Sequence, residues 1–374
     1  MSKLYTSKPS ITSEELLKIG EVFKTSWLGY GSFVHEFEQE LGKILGAKNV
    51  IAVNSGTSAL HLALEVAGIH KGDEVILPSL TFCATVQAVT ILGATPVFCE
   101  VNSDNLSIDI DDVRSKITPK TRAIIPVHFC GIACDMDSLM QLKEETNIRI
   151  VEDAAHAFGS SYKGKKIGSF GDICCFSFDP IKNITCGEGG AIIVNDDNIA
   201  DLLKKKRLLG IDKSAWARQS HNNDLFYDVT TQGYRYHMSN INAAIGLVQL
   251  GKMNLFLEKK RRIVEIYNQR LGKLKHVKLL SWNLSETFPF AYVIRIKDGL
   301  RDPLISHLSK YDIYAGINYI PNHLHSFFKF DCKLPVTEGL YSEILTLPLY
   351  YDLGFDEVEY VIKTIEEYFD KLDD

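Results

Sequence analysis

Lys182 sits between the apolar segment Phe176-Ser177-Phe178 and the turn Gly187-Glu188-Gly189-Gly190. An amine so placed is a candidate covalent nucleophile, because a lysine with a lowered pKa condenses with a carbonyl to form a Schiff base. Most lysines are solvated surface charges, so the case depends on what else the chain supplies. Ser55-Gly56-Thr57-Ser58 links the β-rich run 49–54 to a helical pattern in which Leu60, Ala63, Leu64 and Ala67 recur at i, i+3, i+4 and i+7. A strand running through Ser-Gly-Thr into a helix N-terminus makes an anion cup. Gly56 lets the backbone approach, and free N–H groups join the hydroxyls of Ser55, Thr57 and Ser58. Plain helix capping is the competing reading.

Two more stretches stand just past apolar runs: Pro78-Ser79-Leu80-Thr81-Phe82 and Glu152-Asp153-Ala154-Ala155-His156. A carboxylate in an apolar setting, as at Asp153, must be neutralised or paired with a cation, and a protonated pyridine nitrogen would serve. Read singly, Asp153 is a helix cap, His156 a hydrogen-bonded helix histidine and Phe82 a core residue. Read together with the cup and the lysine, they meet the requirements of pyridoxal phosphate: aromatic cover, ring-nitrogen carboxylate, phosphate cup and Schiff-base amine.

The elements that would position these residues alternate along the chain. Residues 74–77, 96–99, 122–127, 148–152, 173–178 and 191–195 read as short apolar strands, with helical stretches such as 84–92 and 136–145 between them. That pattern predicts an α/β fold with a mostly parallel sheet covered on both faces, and ligands beyond the carboxyl ends of its strands. Thr12-Ser13-Glu14-Glu15 predicts a helix start, and 33–45 a second helix. Between them the loop Ser26-Trp27-Leu28-Gly29-Tyr30-Gly31 carries two large aromatics, which either pack on the body or face a substrate or a subunit.

The remaining third predicts a smaller α+β domain, with residues 1–254 forming the large domain and 255–374 the small one. Residues 238–257 have long helical periodicity, and Glu258-Lys259-Lys260-Arg261-Arg262 reads as its solvated, charged continuation. A strand is expected at 290–296, a helix near 303–309 and a last helix from 356 to about 372.

Composition bounds the function. Of 374 residues, 45% are hydrophobic and 24% charged, as in a globular protein, and the net charge of −6 argues against nucleic-acid binding. With neither a signal-like N-terminus nor an apolar run of eighteen residues, the expectation is a cytoplasmic protein without a membrane span. The eight cysteines mostly lie in apolar runs, as in Ile173-Cys174-Cys175-Phe176. His128-x-Cys130-x3-Cys134 lacks a second close pair, so no metal is expected.

Several ordered motifs then carry a resemblance that runs nearly from end to end. They are Trp27-Leu28-Gly29-Tyr30-Gly31, residues 54–60, 78–82 and 152–157, Phe176-Ser177-Phe178 through Lys182 to Gly190, Met238-Ser239-Asn240-Ile241-Asn242-Ala243-Ala244, and Tyr319-Ile320-Pro321-Asn322-His323. The chain resembles the DegT/DnrJ/EryC1/StrS family of sugar aminotransferases, pyridoxal-phosphate enzymes of fold type I. The resemblance implies that Lys182 holds the cofactor covalently and then moves the proton. It implies that Asp153 keeps the ring nitrogen charged, that Phe82 stacks on the ring, and that His156 lies near the ring hydroxyl. Gly56, Thr57, Ser58 and Ser177 would bind the phosphate. Family members with histidine at the lysine position are dehydratases, so Lys182 places this chain with the aminotransferases.

The family usually has Gly-Tyr-Asn-Tyr-Arg before the Met-Ser segment, and its Asn reaches the cofactor phosphate of the neighbouring subunit. Here the residues are Gly233-Tyr234-Arg235-Tyr236-His237. Arginine still suits a phosphate, so Arg235 is expected to make that contact across a homodimer with shared active sites; contact with the substrate's own phosphates, or an interface ion pair, is the alternative. Trp27, Tyr30, Tyr319 and His323 are expected beside the sugar nucleotide, against an ordinary turn at 318–325. The expected activity is transfer of the amino group of L-glutamate to C-4 of a dTDP-4-keto-6-deoxyhexose, releasing 2-oxoglutarate, for O-antigen or related glycans. The alternatives are C-3 amination, amino-acid side-chain chemistry on the same fold, or a non-enzymatic regulator.

Overall fold

Thr12 and Glu15 cap each other reciprocally, the Glu15 carboxylate accepting the Thr12 amide at 2.8 Å, and this starts α1 (Ser13–Thr25). α2 (Ser32–Leu45) follows the Trp27–Gly31 loop and stops at Gly46, whose φ of 64° suits a residue without a Cβ. The computed structural model of the chain describes residues 3–220, 226–328, 330 and 332–373.

The large lobe is built on β1 (Asn49–Val53), β2 (Glu74–Pro78), β3 (Thr95–Cys99), β4 (Thr121–Ile124) and β5 (Arg149–Asp153), then β8 (Ile173–Ser177) and β9 (Gly190–Val194). A two-stranded hairpin, β6 (Ser161–Tyr162) with β7 (Lys165–Lys166), lies between β5 and β8 in sequence. The seven-stranded sheet runs β1-β9-β8-β5-β4-β2-β3. β3, β2, β4, β5 and β8 pair in parallel, whereas β9 pairs antiparallel with both β1 and β8. Side chains of β1 alternate between two cores: Ile51 and Val53 join one buried cluster, Val50 and Ala52 the other. Both faces are therefore covered, as the near-continuous apolar strands predict. On one of them packs α3 (Gly56–Val66), through Leu60, Ala63 and Leu64; α4 (Cys83–Thr90) packs beside α3.

The smaller lobe has an antiparallel sheet of β10 (Val277–Leu279), β11 (Tyr292–Ile296) and β12 (Ile344–Leu347). The helices Arg301–Lys310 and Phe355–Asp373 pack on it, with Leu304, Val361 and Ile365 in its core. One helix, Asn240–Leu271, spans both lobes and crosses the expected boundary at 254/255. Near the start of the described residues, Leu4 bridges to Ile313 on the small lobe and joins its buried cluster.

One expectation fails within that long helix. Lys260 is 5% exposed, not solvated, because it falls on the buried stripe of Phe256, Ile263, Val264 and Tyr267. The cysteines Cys99, Cys130, Cys134, Cys174, Cys175 and Cys186 are buried and free. His128 hydrogen-bonds to Glu152 at 3.0 Å and accepts the Cys134 amide at 3.1 Å, while the Cys134 thiol donates to the Val127 carbonyl. Among the described residues, no group of His, Cys, Asp and Glu is arranged to hold a metal ion, and no helix is long and apolar enough to cross a membrane.

Candidate active site

The carboxyl ends of β1, β2, β5 and β8 open onto one cavity of about 200 Å³. Its wall includes Ser55, Gly56, Thr57, Phe82, Asp153, His156, Ser177, Lys182 and Tyr319.

α3 supplies the cup. Ser55 caps it by accepting the Ser58 amide, leaving the amides of Gly56 and Thr57 at the open first turn. A Cβ on Gly56 would lie 2.8 Å from the Ser177 Cβ, so only glycine lets the strand end and helix start approach this closely. Ser58 is turned away from the cavity: its hydroxyl donates to Asn54 at 2.7 Å and it is absent from the lining.

Asp153 ends β5 and is 5% exposed. Its Oδ2 accepts the Thr85 hydroxyl at 2.7 Å, and its Oδ1 the Ala155 amide at 3.1 Å. Burial pushes its pKa up, against the pull of Thr85, the Ala155 amide, Lys182 and His128. Such a carboxyl gains most from a cation brought to it.

Lys182 follows β8 on a turn in which its amide donates to the Asp179 carbonyl at 3.1 Å. Its Nζ stands 4.4 Å from the centre of the Phe290 ring. Burial lowers its pKa to about 8, although Asp179 and Asp153 oppose the shift. Roughly a tenth of the amine is then uncharged and nucleophilic at pH 7, far more than for an ordinary lysine.

His156 stacks on Phe290 with ring centres 4.0 Å apart and planes 15° apart, and its Nε2 shares a 3.0 Å hydrogen bond with the Tyr319 hydroxyl. Burial, then the Lys182 charge, holds its pKa well below the ordinary value, so the ring is neutral. Its Nδ1 is buried without a partner. Phe82 is 55% exposed and is not a core residue; its ring lies 5.7 Å from that of Tyr319 at the cavity. An open anion cup, a buried acid short of a cation, an orphaned imidazole nitrogen and a low-pKa amine fit pyridoxal phosphate.

Other expected residues stand elsewhere in this chain. Tyr30 is pinned by Arg207, which donates to its hydroxyl at 3.0 Å, and the Trp27 indole donates to the Tyr30 carbonyl at 2.8 Å. His323 is spent on Ser79 at 2.7 Å and Glu338 at 3.3 Å. Arg235 is exposed and outside the cavity wall. Conversely, Thr85 and Asp179 line the cavity and Phe290 lies against Lys182 and His156, although no sequence motif points to a role for them. Thr85 was detectable as a polar residue in an otherwise apolar helix turn, next to buried Val86 and Val89.

Comparison with known proteins agrees with this geometry. The DegT/DnrJ/EryC1/StrS aminotransferase family matches residues 9–366. The spore coat polysaccharide biosynthesis protein SpsC of Bacillus subtilis is 34% identical, over 96% of each chain. Spr1654 of Streptococcus pneumoniae in its PMP form superposes with a TM-score of 0.91 at 31% identity, covering 98% of this chain and 99% of that one. The sugar aminotransferase CalS13 of Micromonospora echinospora does so with 0.89 at 29% identity, over 97% and 99%. The chain therefore belongs to the DegT/DnrJ/EryC1/StrS family and is a pyridoxal-phosphate-dependent sugar aminotransferase.

Proposed function

We propose that the enzyme transfers the amino group of L-glutamate to a nucleotide-linked keto-sugar, with C-4 of a dTDP-4-keto-6-deoxyhexose as the favoured acceptor, for O-antigen or a related glycan. The observation that carries the reading is that Lys182, with a pKa of about 8, and buried Asp153 line one cavity with a helix-start anion cup. The likeness to a spore coat polysaccharide protein supports a place in glycan assembly.

Bound pyridoxal phosphate supplies a carbonyl for amines and a ring that withdraws electrons. The chain's residues do the rest. Lys182 Nζ takes the proton from the donor's α-carbon and returns one to the sugar carbon. Asp153 holds the ring nitrogen protonated, and Thr85 keeps that carboxylate oriented. Phe82 covers the ring, while His156, steadied by Tyr319, meets the ring hydroxyl edge. Gly56, Thr57 and Ser177 hold the phosphate, with Ser58 locking the cup from behind.

Apart from Lys182, the described lining brings no Lys or Arg, and it carries three carboxylates, Asp153, Asp179 and Glu188. A cavity for a phosphate and a dicarboxylate donor needs more positive charge than that. This supports a homodimer in which Arg235 of each protomer reaches the cofactor phosphate in the other, placing a bidentate cation where the cup has only amides and hydroxyls. Trp27, Tyr30 and His323 have no role in the protomer's own cavity under this reading. The setting is cytoplasmic.

Purified enzyme incubated with pyridoxal phosphate, L-glutamate and a panel of dTDP-, GDP- and UDP-linked keto-sugars tests the assignment. Mass spectrometry and NMR should show a 4-amino sugar and 2-oxoglutarate with the dTDP-4-keto substrate. A 3-amino product, or turnover only with another nucleotide, would contradict the finer assignment.

A further inference from the structure

The buried amine of Lys260 has no part in the chemistry above, yet it touches the turn that carries Lys182. Its Nζ donates to Asn183 Oδ1 at 3.0 Å, and Asn183 Nδ2 donates to the Phe288 carbonyl at 3.1 Å. Asn183 and Lys260 are each 5% exposed. The residue next to Lys182 is thus clamped on one side by the long helix and on the other by segment 288–290.

That segment is itself fixed. The Phe288 amide donates to the Ser160 hydroxyl at 2.8 Å, and the Phe290 amide to the Cys130 carbonyl at 2.9 Å. Phe290 is the ring under both Lys182 and His156. Lys182, Asn183 and Lys260 also line a second, water-sized cavity of about 20 Å³. One continuous set of contacts therefore runs from the helix joining the lobes to the nucleophile.

Stability does not explain the amine. Burial lowers the Lys260 pKa to about 7, and its hydrogen-bond partner is a neutral amide, not a carboxylate. An apolar side chain of similar length would avoid the cost of desolvating a charge.

We propose that Lys260 is a positioning residue for Lys182, fixing through Asn183 the turn 181–185 that presents the nucleophilic amine to the Asp153 cavity. This rests on the reading of Lys182 as the residue that condenses with pyridoxal phosphate.

The test compares wild type, Lys260→Met, Asn183→Leu and the double variant, each loaded with pyridoxal phosphate. The readouts are the pH midpoint of the visible absorbance, the borohydride trapping rate mapped to Lys182 by peptide mass, and the melting temperature of the apoprotein. Lys260→Met should melt no lower than wild type below pH 7, yet trap at Lys182 at least about fivefold more slowly or shift the midpoint by about half a unit or more. Asn183→Leu should slow trapping or shift the midpoint by as much, though it also leaves the Lys260 amine and the Phe288 carbonyl without their partner and so melts lower, and the double variant should trap and titrate no worse than either single one, since both break one chain of contacts. Folded variants that titrate and trap like wild type, or single effects that multiply in the double variant, would overturn the proposal. If Lys260→Met does not fold, the same two readouts on Asn183→Leu decide it. A wild type that forms no adduct at Lys182 would sink the underlying reading instead, and that is visible before any variant is compared.

Discussion

The Thr85 hydroxyl stands 2.7 Å from Asp153 Oδ2, so a residue of α4 orients the carboxylate at the end of β5. Burial drives the Asp153 pKa up and Thr85 is the largest influence opposing it, so this contact favours the charged form of the acid. Replacing Thr85 by Val keeps the shape and removes the donor. A hydrogen bond to a charged group contributes about 1.5–3 kcal/mol, so pyridoxal phosphate should bind roughly tenfold or more weakly. Fluorescence or absorbance titration of the apoenzyme measures this, and unchanged affinity would remove Thr85 from the site.

Asp153→Asn leaves a neutral amide where the proposed pairing with the ring nitrogen needs a negative charge. Turnover should fall about 100-fold or more, by analogy with losing an electrostatic stabiliser in a buried site. Single-turnover rates with L-glutamate provide the check, and a loss under threefold would contradict the assigned role.

The Lys182 pKa of about 8 sets a pH dependence. The uncharged amine is the nucleophile, so its reaction with a small aldehyde should rise with pH and level off above about 8, well below the ~10.4 of an ordinary lysine. The sign for stability follows. A lysine with a depressed folded pKa costs stability below that value, and the cost is relieved as pH rises from about 8 towards the unfolded pKa. Lys260 acts in the same sense from about 7 upwards. Apoprotein melting should therefore gain from these two groups between pH 7 and 10, and the gain should shrink in Lys260→Met.

Gly56→Ala would place a Cβ 2.8 Å from the Ser177 Cβ. The strand end and helix start must then part, so the phosphate cup should loosen and cofactor affinity should drop severalfold, while α3 itself tolerates alanine. Competition by inorganic phosphate separates a cup defect from a ring defect: if phosphate binds the variant as tightly as wild type, the cup reading fails.

How much was legible in advance depended on what each pattern encodes. Apolar periodicity reports burial, so strands and helices of the large lobe emerged close to their observed bounds, and the strand-end rule picked out Phe82, Asp153 and His156, which line one cavity with Lys182. Direction is not encoded: an apolar strand reads alike both ways, so the reversal of β9 was invisible. Charge overruled spacing at Lys260, where the 256, 260, 263, 267 stripe was present but the surrounding Lys and Arg residues suggested a solvated face. Long-range partners were hidden as well. Nothing near Tyr30 announces Arg207, and nothing near Leu4 announces Ile313.

The proposed sharing of active sites between two protomers makes a complementation prediction. Mixed dimers of inactive Lys182→Ala and impaired Arg235→Ala protomers should contain one site with both residues intact and recover about a quarter or more of wild-type activity after subunit exchange. No recovery despite verified exchange would place Arg235 outside the neighbour's site.

The central claim is that Lys182 is the residue that engages pyridoxal phosphate in the cavity shared with Asp153. Borohydride reduction of the cofactor-loaded enzyme followed by peptide mass mapping tests it most directly. The account predicts one reduced pyridoxyl group per chain, on the peptide containing Lys182, and none in Lys182→Ala. Modification at another lysine, or undiminished labelling of Lys182→Ala, would contradict it.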